Sequence, residues 1–293
     1  MDYRGRVPAA PLDLFIDDIY VLSGEPTHRR LNVPPMPSAH LFINLAELVT
    51  LVDSLRPSVP TVFTDAWFMG VWTRRFEIEF DARVRVVGVH FKPWGLSPFV
   101  RVPSHEVRDR WIPAEALWDA SSPRLRERLG SAATPAIALQ ILEAELRSQL
   151  VAAPPRGLEL VNHTAVRLER SWGALPISSL ADGAGISGNH LATQYASHVG
   201  VTPKRLARIY RFARLILSVD ARHPVDWPAL AQTAGFIDQA HLSKEFKEFT
   251  GQTPTDYLAL RRRFPSRQGF PPDAGPMPVM DFLQDAPSTR RTG

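Results

Sequence analysis

Cysteine is absent from all 293 residues. Its absence excludes disulfides, thiolate metal sites and cysteine nucleophiles. Lysine is scarce: only Lys92, Lys204, Lys244 and Lys247 occur, so arginine carries most of the positive charge. Long apolar runs are also missing. No stretch reaches the roughly 18 consecutive apolar residues of a membrane span. The opening MDYRGRVPAAPLDLF has no apolar core of signal-peptide length. A soluble, cytoplasmic protein without a membrane partner is expected. With 44% hydrophobic and 22% charged residues, the chain can bury real cores, and its length suits two domains.

The charge is unevenly placed. Residues 156–264 carry 14 basic and 9 acidic side chains, whereas residues 1–155 are balanced at 17 and 18. A local basic excess points toward a polyanionic partner or a solvated basic face. AAPPRG (Ala152–Gly157) reads as a boundary. Beyond Arg263 the chain turns proline-rich and loses its period, which suggests disorder. The expected division is 1–152, 158–264 and a tail, 265–293.

The first part reads as β-rich, cupin-like or barrel-like, with flanking helices. VRVVGVHF (Val84–Phe91) and FEIEFD (Phe76–Asp81) alternate as strands do, and HLFINL and LDLFIDDIYVL are further candidates. Pro135–Leu150 reads as a helix with Ile137, Ile141, Leu142 and Leu146 as its apolar stripe. That stripe is either a dimer seam or the domain's own packing face. The second part reads as all-helical, for an α+β chain overall.

Within it a segment recurs. LADGAGISGNHLATQYASHVGVTP (Leu180–Pro203) aligns with LAQTAGFIDQAHLSKEFKEFTGQTP (Leu230–Pro254), at an offset of 50 that becomes 51 within the turn, where one residue has been added. Each copy spells helix, turn, helix. Gly185 and Gly235 supply the positive φ that ends a helix. Ser187 and Asp238 are N-cap residues, as are Thr202, Asp226 and Thr253 elsewhere. Leu191 with Tyr195, and Leu242 with Phe246, lie four apart and face inward. The outward faces then offer Asn189, Ala192, Thr193 and Gln194 in one copy, and Gln239, Ala240, Ser243, Lys244 and Lys247 in the other. These residue types pair with base edges or touch thymine methyl groups. Between the copies, Pro203–Ala221 predicts one long helix. Leu206, Ile209, Ala213, Ile216 and Leu217 form its stripe, and Lys204, Arg205, Arg208, Arg211 and Arg214 are set to grip phosphate.

S-x-x-H-L-x-x-x-Y, G-V-T-P, R-F-A-R-L, A-x-x-x-G-F-x-D-x-x-H-L-S-K-x-F-K and G-x-T-P-x-x-Y together resemble the C-terminal domain of the AraC/XylS family of transcription regulators, over about Leu158–Arg263. The resemblance implies two helix-turn-helix units joined by a long helix and reading promoter DNA in successive major grooves. It places Asn189, Ala192 and Thr193 of the first unit, and Gln239, Ala240, Ser243 and Lys244 of the second, at base-reading positions. Lys204, Arg205, Arg208 and Lys247 become the phosphate set. The first unit has few long polar side chains, so its readout is expected to be the weaker. Double-stranded DNA is the implied partner, with a small-molecule effector, a homodimer and, for an activator, RNA polymerase as further candidates. The first part resembles more loosely the sensory domain of one subgroup, which names no effector pocket.

Other readings weigh less. His40, His90 and His105 fit no compact ligand spacing, so neither a metal nor any other cofactor is expected. Trp67, Trp72, Trp94, Trp111 and Trp118 suit core packing better than an effector pocket. A cupin-type enzyme fused to a DNA-binding module is the alternative, but it needs clustered His and Glu. Alkyl transfer to cysteine, known among relatives of this DNA-binding module, is excluded by composition. No catalytic residue is assigned.

Overall fold

Alternation along the strands builds the first half into two antiparallel sheets. In the computed structural model, residues 2–263 are described except 27–29, 47, 81–82 and 221–222, together with 283–284. The strands are β1 (Asp2–Arg6), β2 (Ile16–Gly24), β3 (Arg30–Val33), β4 (Ala39–Asn44), β5 (Val49–Asp53), β6 (Thr61–Phe63), β7 (Ala66–Met69), β8 (Phe76–Phe80), β9 (Val84–Phe91), β10 (Trp111–Pro113) and β11 (Leu283–Gln284). One sheet runs β1-β2-β9-β4-β7-β10 and the other β11-β3-β8-β5-β6. Apart from β11, the proline-rich tail expected from residue 265 lies outside the described residues.

The central strands of the larger sheet are apolar on both faces, because both are covered. Tyr20, Leu22, Trp67, Met69, Val84 and Val86 turn toward the second sheet. Ile19, Val21, Phe68, Val87 and Val89 turn the other way. There they meet α2 (Glu115–Trp118), α3 (Ser121–Gly130) and α4 (Pro135–Gln149), which follow α1 (Ser104–Val107).

Helix α4 corrects the expected stripe. It buries Ala138, Leu139, Leu142 and Leu146, while Ile137 is 41% exposed. The buried set centres on Leu142 with neighbours three and four residues away, and small Ala138 lets the helix lie close to the sheet. Leu142 and Leu146 sit in the chain's own core and are not a seam for a second copy. Of the five tryptophans, Trp67, Trp72, Trp94 and Trp118 are buried, while Trp111 is half-buried and lines an inter-sheet cavity with Trp67.

The second half contains α5 (Leu158–Arg170), α6 (Ile177–Gly183), α7 (Gly188–His198), α8 (Pro203–Ser218), α9 (Trp227–Thr233), α10 (Gln239–Thr250) and α11 (Pro254–Arg263). Helix α8 runs through the middle and buries Leu206, Ile209, Tyr210, Phe212, Leu215 and Ile216. Leu217, expected in the stripe, is 46% exposed at the helix end. Val71 and Trp94 of the β-rich half belong to the same apolar cluster, so the two halves are docked through a shared core. Among the described residues no helix is long and apolar enough to cross a membrane.

Candidate nucleic-acid interface

Each repeat folds by the local chemistry its sequence spells. The helices α6 and α9 stop at glycines held at φ 66° (Gly185) and 82° (Gly235), the left-handed region that favours glycine. Ser187 Oγ then accepts from His190 N–H at 3.2 Å, and Asp238 Oδ1 from His241 N–H at 2.7 Å, capping α7 and α10. Thr202 caps α8 and Asp226 caps α9 in the same way.

The inward faces fix each second helix. In α7, Leu191 and Tyr195 are fully buried, and the Tyr195 hydroxyl donates to Thr164 Oγ1 of α5 at 3.1 Å. Burial pushes that phenol up to about 12, so it stays protonated as a donor. In α10, Phe246 packs edge-on to Phe212, Trp227 and Tyr257.

The outward faces remain open. Asn189 and Thr193 are exposed on α7, with Ala192 and Gln194 half-buried. Gln239, Ala240 and Lys244 are exposed on α10, with Ser243 half-buried. Thr193 Oγ1 donates back to Asn189 O at 3.0 Å, which partly engages one reader of the first unit.

The expected phosphate set divides. Lys204 and Lys247 are exposed. Arg205 and Arg208 are half-buried, and their charges are paired within the protein. Glu248 of α10 takes Arg205 Nη1 at 2.5 Å on one oxygen and Arg208 Nη2 at 2.5 Å on the other. Arg208 Nε also lies 3.3 Å from buried Glu245. Both guanidinium groups stand over the Phe249 ring, at 4.7 and 5.4 Å. Burial acts to raise the Glu248 carboxyl, but hydrogen bonds from Arg205 and Arg208 outweigh it and hold the group below the usual carboxylate range. The acidic residues of α10 are thus neutralised from within, and the basic ones stay outside. Sequence spacing could not reveal this pairing, because Glu248 lies 43 and 40 residues from its partners.

Arg205 also reaches into the other half of the molecule, donating to Thr73 O. Thr73 is held in turn by Asp109, through its N–H at 2.7 Å and its hydroxyl at 2.8 Å. Asp109 pairs with Arg74, which pairs with Asp53 at the end of β5. Polar contacts therefore run without a break from the smaller sheet to the second reading helix. A second joint lies at the end of α7. His198 is buried, with Nδ1 accepting from Ser97 Oγ at 2.8 Å and Nε2 donating to Arg156 O at 2.9 Å. Arg108 donates to Gly200 O at 3.1 Å.

Asp17, paired with Lys92 at 2.5 Å, lies near enough to Glu169 of α5 to add to its electrostatic surroundings. Burial raises both carboxyl groups above their ordinary range, and Asp17 adds to the rise at Glu169. A carboxyl raised on folding binds its proton more tightly in the folded state. Its contribution to stability is therefore full below the ordinary range and lost as pH rises through the folded value. Glu169→Gln is expected to raise Tm near neutral pH by about 2 °C and to flatten its decline with pH. Thermal scans between about pH 4 and about pH 8 check this.

One cluster went unseen in the sequence. His40 and His90 are register partners on β4 and β9, with ring centroids 5.0 Å apart. Asp18 takes His90 Nδ1 at 2.5 Å and accepts from the Tyr3 hydroxyl at 2.5 Å, and Ser38 bonds His40. Burial, and then His90, pull the His40 pKa well down, so its ring is neutral. Among the described residues no group of three His, Cys, Asp or Glu is arranged to hold a metal. The network ties β1 to β2. Between the sheets lies a cavity of about 30 Å³, lined by apolar side chains including Phe42, Leu51, Trp67, Phe76 and Trp111.

Two family models match parts of the chain. Residues 180–262 match a family model described as a helix-turn-helix domain. Residues 5–113 match one described as a domain of unknown function. No curated protein matches the chain. Among solved structures, apo ToxT K231A from Vibrio cholerae is 14% identical, with 82% of this chain and 97% of that one covered and a TM-score of 0.46. Wild-type ToxT from the same organism with bound unsaturated fatty acid is 15% identical, with 86% and 96% covered and a TM-score of 0.42. The AraC-like transcriptional activator CuxR is 12% identical, with 74% and 86% covered and a TM-score of 0.26. The matched helix-turn-helix model spans both repeat units, α6–α7 and α9–α10, and the helix α8 between them.

Proposed function

We propose that the chain binds a bipartite site on double-stranded DNA, with α7 and α10 entering successive major grooves, and so regulates transcription of the adjoining gene. The observation that carries this reading is the exposure of both outward faces while the inward faces of the same helices are buried. Helix α8, with 16 residues, spans about 24 Å at 1.5 Å per residue. It holds the two heads in a fixed relation, suited to grooves about 34 Å apart. The second unit supplies most of the base readout, since Gln239 and Lys244 reach further than any reader of the first. No catalytic step is assigned to the chain.

The β-rich half acts on how the heads are held. Supporting this are the shared core, the Arg205–Thr73 link and the His198–Ser97 bond. A small-molecule effector would act through these joints. Ordinary ligand sites measure about 300–1,000 Å³. The inter-sheet cavity therefore admits such a molecule only if its aromatic walls move.

Selection of bound duplexes from a random pool tests the reading. It is expected to return two conserved elements about 10 base pairs apart. Equal competition by random duplex would leave only a non-specific binder. The phosphate contacts have their own test. Replacing Lys204 and Lys247 by alanine should reduce the salt slope of binding by about two phosphate contacts. Arg205→Ala should leave the slope unchanged and lower Tm instead.

A further inference from the structure

The two units differ by a single inserted residue, and the structure shows where that residue goes. In the first turn Gly185 is followed by Ile186 and the cap Ser187; in the second, Gly235 is followed by Phe236, Ile237 and the cap Asp238. An apolar residue just before an N-cap normally staples onto the fourth residue of the helix. Ile186 conforms and packs partly buried against the helical core, where Leu191, its expected staple partner, also lies. In the second unit Phe236 occupies the buried place, 5% exposed and edge-on to His241 at 5.4 Å. Ile237 is pushed outward. It is 88% exposed, the most exposed large apolar side chain among the described residues, although its would-be partner Leu242 is fully buried beneath it in the core.

Ile237 therefore adds nothing to the core, yet it stands at a chosen place. It immediately precedes the cap of α10, next to exposed Gln239 and Ala240. The N-terminal end of a reading helix is the end whose side chains meet base edges. The backbone there is held: Ile237 N–H donates to His241 Nδ1 at 3.5 Å, and Asp238 caps the helix. A β-branched side chain is stiff at χ1, so a fixed backbone presents its methyl groups in a narrow range of directions. No charge or hydrogen-bonding group is offered. The chemistry that recognises such a surface in the major groove is the thymine 5-methyl group, the only apolar feature on the base edges.

We propose that Ile237 is a specificity-determining residue of the second unit, selecting thymine by methyl–methyl contact at the edge of the element read by Gln239 and Lys244. This rests on the reading of α10 as a base-reading helix. The first unit, lacking the inserted residue, has no equivalent.

The test uses the full chain and the duplex selected from a random pool. Each thymine in the element assigned to the second unit is replaced in turn by deoxyuridine, which removes only the 5-methyl group. The wild type is expected to lose about fourfold in affinity at one position, the worth of one buried methyl group. Ile237→Ala should bind the thymine duplex several-fold more weakly and show no further loss on the uracil duplex, while Ile237→Val keeps most of the discrimination. Because the side chain is exposed, both variants should retain the wild-type Tm. Failure of the selection to return any consensus would overturn the base-reading function and this inference together. A clear consensus with no uracil-sensitive position, or Ile237→Ala losing the same factor on thymine and uracil duplexes, would overturn this inference alone.

Discussion

Replacing Gln239 and Lys244 together by alanine is expected to weaken binding to the selected duplex about a hundredfold, with affinity for random duplex changed by no more than about threefold. Each side chain can pair with a base edge, an interaction worth about 1–3 kcal/mol of discrimination. Removing two such pairings, at about 1.4 kcal/mol each, amounts to a factor of about 100. Both residues are exposed on α10, so their removal leaves no cavity and no buried polar group. Tm should therefore stay within about 1 °C of wild type, as for surface substitutions generally. Titrations on specific and random duplexes at one salt concentration check this. Equal losses on the two would reduce α10 to a phosphate-binding helix. The corresponding change in the first unit, Asn189→Ala with Thr193→Ala, should cost much less, because Thr193 already spends its hydroxyl on Asn189 O.

The second large effect concerns docking. Gly200→Ala is expected to lower stability by about 3 kcal/mol and Tm by about 10 °C. Gly200 has φ 87°, and a Cβ there would lie 2.6 Å from Ser104 O, on the backbone of α1 in the other half. Left-handed backbone alone costs alanine about 1–2 kcal/mol. The remainder is the clash, which cannot be relieved without separating α7 from α1 and losing the Arg108 bond to Gly200 O. Gly185→Ala is the matched control. Its φ is 66°, but nothing lies within 4 Å of the added carbon, so it should show only the backbone cost. Calorimetric scans of the two variants separate strain from docking. Similar Tm values for both would mean that Gly200 is needed for its turn alone.

What the sequence made legible was whatever local chemistry decides. The N-caps at Ser187, Thr202, Asp226 and Asp238 and the turn glycines Gly185 and Gly235 depend on neighbours three or four residues away. They fall where they were expected. So do β9, whose run of β-branched residues marks it, and the inward pairs Leu191–Tyr195 and Leu242–Phe246. Illegible were the interactions that the fold brings from a distance. Arg205 and Arg208 look like phosphate grips on a basic helix, and only the packing of α10 across α8 shows that Glu248 claims them. His40, His90 and Asp18 come together through strand register, which spacing along the chain does not encode. In α4 the expected stripe holds at Leu142 and Leu146 and fails in the first turn, where Ala138 and Leu139 are buried in place of Ile137.

The most direct test of the central claim, two heads reading one side of a duplex from a shared helix, is a hydroxyl-radical footprint on the selected duplex. Wild-type protein should protect two patches on the same side, about one helical turn apart. The Gln239→Ala/Lys244→Ala variant, at saturating concentration, should weaken one patch and leave the other. A single patch, two patches on opposite sides, or a uniform loss of both in the variant would contradict it.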